Sequence, residues 1–214
     1  GRGGERGRRT KWVEGRNGKI AALGVGAAYE KNAIIIEEND GANGEIGYRK
    51  LGNNSEGDLI STRVRFIEGG YGDLHDVTLG SANTTAIQLS ATTNIVTTGS
   101  GYVGSISTNG NDTITIGSGG AGMVDVGGGD NVITTTSDYV NAIIITGTGT
   151  NTVDLGSAGI ESLRPSKGTN TVYTGSGDVT SIFAYNGATN DITVGTGTVD
   201  QIRFSQGTHS ITAT

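Results

Sequence analysis

Between residue 75 and residue 214 one short pattern returns eight times, and this return constrains the fold more than any other feature of the chain. A small residue closes each copy, at Gly80, Gly99, Gly117, Thr136, Gly156, Gly175, Gly195 and Thr214, with spacings of 19, 18, 19, 20, 19, 20 and 19. Three positions earlier stand Val77, Val96, Ile114, Ile133, Val153, Val172, Ile192 and Ile211, a β-branched residue in every copy. Such side chains suit a pleated, half-buried surface. Alternation places the residue just before the anchor (Leu79, Thr98, Ile116, Thr135, Leu155, Thr174, Val194, Ala213) on the same inward side. A unit of this size cannot bury its apolar face alone, so it must stack on its neighbours.

The rest of each copy agrees. Five places before the anchor runs a column of His75, Asn94, Asp112, Asn131, Asn151, Asn170, Asn190 and His209. Asn tolerates a left-handed backbone, and stacked amides pair as a ladder, so Asn94, Asn131, Asn151, Asn170 and Asn190 are expected to line one turn. Two places earlier a small residue recurs, at Gly110, Gly129, Gly149, Gly168, Ala188 and Gly207. After the anchor comes a second apolar pair: Val103/Ile106, Met123/Val126, Val140/Ile143, Ile160/Leu163, Val179/Ile182 and Val199/Ile202. Each copy therefore reads as strand, Gly/Ser-rich turn, strand, Gly/Asn turn. The expected fold is all-β, a parallel β-solenoid (β-helix or β-roll) of about eight coils of roughly 19 residues, stacked ~4.8 Å apart into a rod ~38 Å long. The pattern weakens toward Leu59 and Val64/Ile67. The expected division is therefore an irregular segment, 1–58, that caps or extends a solenoid over 59–214, with Ile34–Ile36 and Ile20–Ala28 read as strands and loops.

Composition fits a fold that gains stability by repetition. The chain has 39 Gly, one Pro, no Cys and only 33% hydrophobic residues. Absent cysteine removes disulfides and thiolate metal sites, and no apolar run is long enough to cross a membrane as a helix. Charge is uneven. Residues 1–75 hold 12 of the 15 Lys and Arg, and from Asp76 onward 3 basic residues face 10 acidic ones. A surface of that sign repels nucleic acid, so neither nucleic-acid binding nor membrane insertion is expected. The basic opening, Arg2, Arg6, Arg8, Arg9 and Lys11, reads as a solvated end.

The stretch Gly110-Asn111-Asp112-Thr113-Ile114, and more loosely Gly127-Gly128-Gly129-Asp130-Asn131-Val132, resembles the G-G-x-G-x-D-x-U-x calcium repeat of the repeats-in-toxin (RTX) family. The resemblance implies a parallel β-roll in an exported adhesin, protease, lipase or surface-layer protein, with calcium held between coils. On this chain it points to Asp112 and Asp130 as metal ligands. Three departures stand against it: coils near 19 residues, one signature turn per coil instead of two, and Asn where the family has its liganding Asp. Neutral amides supply too little charge for calcium, so most turns are expected to be metal-free.

No catalytic constellation emerges, and no enzyme activity is expected. Asp154 and Glu161 fall in different strands of one coil, Asp178, Asp191 and Asp200 are scattered, and Gly117-Ser118-Gly119-Gly120 lies between strands rather than before a helix. Outward Thr78, Thr97, Thr115, Thr134, Thr193 and Thr212 suggest an ice-binding rank, but the neighbouring column pairs Thr only at Thr113/Thr115. The expected role is a secreted or cell-surface structural element: a unit of an extracellular fibre, adhesin stalk or surface-layer assembly, joining end to end or continuing in a longer chain. The alternatives are a calcium-responsive RTX-like module of a secreted enzyme or toxin, a phage fibre segment and an ice-binding solenoid.

Overall fold

A computed structural model describes residues 23–24, 45–51, 55–60, 63–185 and 187–214, with side chains from Arg65 onward. The described strands form two parallel sheets, one of ten strands and one of nine, and the chain alternates between them. The protein is a parallel β-solenoid of about eight coils near 19 residues each, and no helix occurs among the described residues. Ile34–Ile36 lies outside them.

The second sheet carries the recurring column. Its strands, from Leu74–Leu79 through Asn111–Ile116 to Gly207–Ala213, pair so that Val77, Val96, Ile114, Ile133, Val153, Val172, Ile192 and Ile211 stack coil upon coil. The first seven are buried, each contributing about 1.5–3 kcal/mol through removal from water. Ile211 is 49% exposed because its strand lies at the outer edge of the sheet and pairs on one side only.

The first sheet runs from Arg63–Gly69 through Val103–Thr108 to Ile202–Phe204. Its strands turn inward at the first, fourth and sixth positions, as Val103, Ile106 and Thr108 show. This register corrects one expected pair. Ala121 and Val124, not Met123 and Val126, match Val103 and Ile106, while Met123 pairs with Ser105 and Ala142 and is 38% exposed. Both pairs have the same three-residue spacing, so apolarity cannot choose between them. The backbone ladder does.

The anchors are small because neighbouring coils approach closely there. A Cβ on Gly175, whose φ is +63°, would collide with the carbonyl oxygen of Gly156 one coil earlier. Where the anchor is Thr136 or Thr214, its hydroxyl donates to the carbonyl of Ile116 or Val194, each at 3.2 Å.

The stack also reaches into the segment before residue 59. Glu45–Leu51 pairs with Arg63–Gly69, and Ser55–Ile60 pairs with Leu74–Leu79 across a register shift. Leu23–Gly24 adds to the first sheet beside Glu45–Leu51.

Candidate functional site

The feature with the most organised chemistry is the polar column inside the solenoid. Asn94, Asp112, Asn131, Asn151, Asn170 and Asn190 are all buried at the entry to successive strands of the second sheet, because alternation turns them to the same side as the β-branched core. Burial of an amide is tolerated only when its hydrogen bonds are made. Here the next coil makes them. Nδ2 of Asn131 donates to Oδ1 of Asn151 at 2.8 Å, Asn151 to Asn170 at 2.9 Å, and Asn170 to Asn190 at 2.9 Å. Second donor hydrogens close the local turn on the carbonyls of Gly129, Gly149 and Lys167.

At its far end the ladder passes to His209, whose Nδ1 accepts from Asn190 Nδ2 at 3.0 Å. An amide nitrogen can only donate, so the neutral ring carries its proton on Nε2. That Nε2 is screened from solvent and has no acceptor among the described residues, while the ring stacks on Phe204 with centroids 4.1 Å apart.

At the near end the chemistry changes. Asn94 Nδ2 donates to Asp112 Oδ1 at 2.7 Å, but Asp112 returns no side-chain donor to Asn131, whose Oδ1 accepts the Asp112 backbone N–H instead at 3.1 Å. Burial raises the Asp112 pKa, opposed by the Thr108 hydroxyl and the Asn94 amide. Neither Asp112 Oδ2 nor Thr108 Oγ1 reaches full hydrogen-bond geometry. One coil before Asn94, His75 occupies the column, with Nε2–H donating to the Gly70 carbonyl at 2.8 Å. Desolvation lowers its pKa, and the Gly70 bond partly offsets this.

Asp112 and Asp130 do not converge on a calcium site. Asp112 points inward, whereas Asp130 is exposed in the adjoining outer column, where its backbone N–H donates to Asn111 Oδ1 at 2.8 Å and its own Oδ1 accepts from Thr150 N at 2.7 Å. Calcium requires several oxygens around one point, with carboxylates among them. No group of three or more His, Asp or Glu lies together among the described residues. Asp130 instead ties one coil to the next, as Asp178 does by accepting from Thr198 N at 2.9 Å.

The carboxylates considered for catalysis stay apart. Asp154 accepts from Gly156 N at 3.0 Å, and Glu161, Asp191 and Asp200 are exposed at separate positions. A wide-open depression of about 380 Å³ beside the Asp112 turn, lined by Tyr71, Thr92, Asn109, Gly110, Gly128 and Gly129 among others, has no carboxylate or imidazole in its lining.

Sequence reasoning missed one column. Thr93, Asn111, Asp130, Thr150, Thr169, Thr189 and Thr208 form a further outward rank on the second sheet, so Thr150/Thr152 and Thr169/Thr171 are also neighbouring Thr pairs. Its signal in the sequence is Thr-x-Thr at those positions, and the rank lies on the far side of the Asn column from the anchor. No family model matches this chain, and neither the curated proteins nor the solved structures include a match.

Proposed function

We propose that this chain is a structural β-solenoid of an extracellular fibre, adhesin stalk or surface-layer assembly, in which coils add end to end. The observation that carries this reading is that each coil is completed by its neighbours: the aliphatic column is buried between coils, and the amides of Asn131, Asn151, Asn170 and Asn190 bond from one coil to the next. The same parallel pairing that joins one coil to the next would join a coil of a second copy to strand Gly207–Ala213, above which Ile211 is half exposed. Such stacking suits a structural role.

Negative-stain imaging and sedimentation of the chain, with calcium and with a chelator, test this reading. Filaments or growing oligomers under both conditions are expected. A monodisperse monomer at high concentration with calcium present would overturn it, and a monomer that unfolds on chelation would replace it with the calcium-responsive module.

The outer face of the second sheet favours one further reading. Thr150/Thr152 and Thr169/Thr171 stack in register, and Thr113/Thr115 lies one column over, a partial array of hydroxyls and methyls suited to an ordered solid such as ice. Asp130, Asp154, Tyr173 and Asp191 interrupt that array, which places this reading second. Inhibition of ice recrystallisation that disappears with Thr152→Asp would promote it.

A further inference from the structure

We infer that the outer face of the first sheet is a two-fold, self-complementary surface that pairs two copies of this chain side by side. The inference is independent of end-to-end growth. It begins with the few basic residues of the solenoid: from Asp76 onward there are three, and two of them, Arg164 and Arg203, share one outward column of this sheet on either side of Phe183. The opposite outward column carries Glu161 and Asp200, three residues earlier in the same coils. In these two coils one edge is thus acidic where the other is basic, whereas Asp125, in the Arg164 column, has Gly122 across from it. Arg65 and Glu68 repeat the arrangement with signs reversed, and no described coil from Arg63 onward places like charges on both edges.

The column between the edges carries no charge; Phe66 and Met123 stand out from it and the other members are small. Ala86, Ser105, Met123, Ala142, Ser162 and Ser181 lie in register along the middle. The two arginines are also held against the sheet. Arg164 Nε donates to Ser162 Oγ at 3.1 Å, and the Arg203 guanidinium lies 5.8 Å from the Phe183 ring centroid. With the Gln201 amide turned to present its oxygen, that oxygen accepts from Arg203 Nε and Nη2 at 2.9 Å each. None of Glu161, Arg164, Asp200 and Arg203 has a carboxylate–guanidinium partner among the described residues, so their charge is available to another molecule.

Rotation by half a turn about an axis parallel to the rod, placed between two such faces, keeps coil opposite coil and exchanges the edges. Glu161 then meets Arg164 of the second copy, Asp200 meets Arg203, and each middle residue meets its own mate. Isologous contacts of this kind are the commonest in homo-oligomers. Eight strands at ~4.8 Å and about 20 Å of strand length give about 750 Å² per partner, close to the ~800 Å² of a standard interface. A free polyanion is less well matched, because Glu161 and Asp200 share the face and would repel it.

The test uses the full chain and two charge-uniform variants: Arg164→Glu with Arg203→Glu, and Glu161→Arg with Asp200→Arg. Sedimentation equilibrium should show wild type as a dimer that weakens with salt, each variant alone as a folded monomer by circular dichroism, and a one-to-one mixture as a heterodimer. The wild-type dimer should persist with Ile211→Asp, which disables the terminal face and leaves this one intact. Loss of end-to-end filaments alone would therefore count only against the proposed function. A wild-type monomer, a dimer that survives in either variant alone, or a mixture that stays monomeric would overturn the inference. So would capture of a monomeric wild type by a sulfated polysaccharide through Arg164 and Arg203.

Discussion

The polar column is two structures in one. From Asn131 to Asn190 each side-chain amide donates to the next at 2.8–2.9 Å, and Asn190 hands the run on to His209 at 3.0 Å. From His75 to Asp112 the same column holds an imidazole, one amide and a carboxylate, and the donor chain stops at Asp112. A residue that both donates and accepts can repeat without limit, whereas one that only accepts ends the run. The first region is therefore a stabilising device, and the second is where stability becomes sensitive to pH.

The largest effect should come from breaking the uninterrupted region. Asn151→Leu strands the Asn131 amide and the Asn170 oxygen inside the core, at about 1–3 kcal/mol each, or about 2–6 kcal/mol together. A urea midpoint that falls by less than 1 kcal/mol equivalent would mean the ladder is ornamental and the aliphatic column alone holds the coils.

Repairing the interrupted region should act in the opposite direction. Asp112→Asn supplies the missing donor and removes a buried carboxyl group whose Oδ2 has no hydrogen-bond partner, so the variant is expected to gain about 1–3 kcal/mol at pH 7. The calcium reading makes the contrary prediction, since loss of a ligand carboxylate would destabilise a metal-loaded chain. Thermal melts of both proteins, with calcium and with chelator, decide between them.

These two substitutions also show where sequence reasoning ended. The eight-fold column, the amide ladder and the β-solenoid were legible because each repeats, and repetition turns weak preferences into a pattern. Met123 was misplaced because two apolar pairs of equal spacing compete in its coil and only backbone pairing separates them. The RTX resemblance points to both Asp112 and Asp130 as ligands because each falls in a Gly/Asn/Asp string of similar composition. One residue of offset puts their side chains on opposite sides of the strand, and a local motif does not encode that difference. The charged edges of the first sheet come from residues about 40 apart in sequence, too sparse to stand out before the coils are stacked.

The smallest effect expected is the pH dependence of wild type, because its two buried titrating groups oppose one another. The folded-state pKa of Asp112 is raised, so its contribution is present at low pH and is lost as pH climbs through that raised value. The folded-state pKa of His75 is lowered, so its contribution is fully present above the unfolded value near ~6.5 and is lost as pH falls through the lowered folded value. On acidification the Asp112 contribution grows while that of His75 falls, so the two effects on the denaturation midpoint partly offset one another. Asp112→Asn removes only the compensating partner, so on acidification that variant should lose stability, whereas His75→Asn should gain it. Parallel pH profiles for all three proteins would show that neither residue is linked to folding, and the contrast drawn between the two regions of the column would then rest on geometry alone.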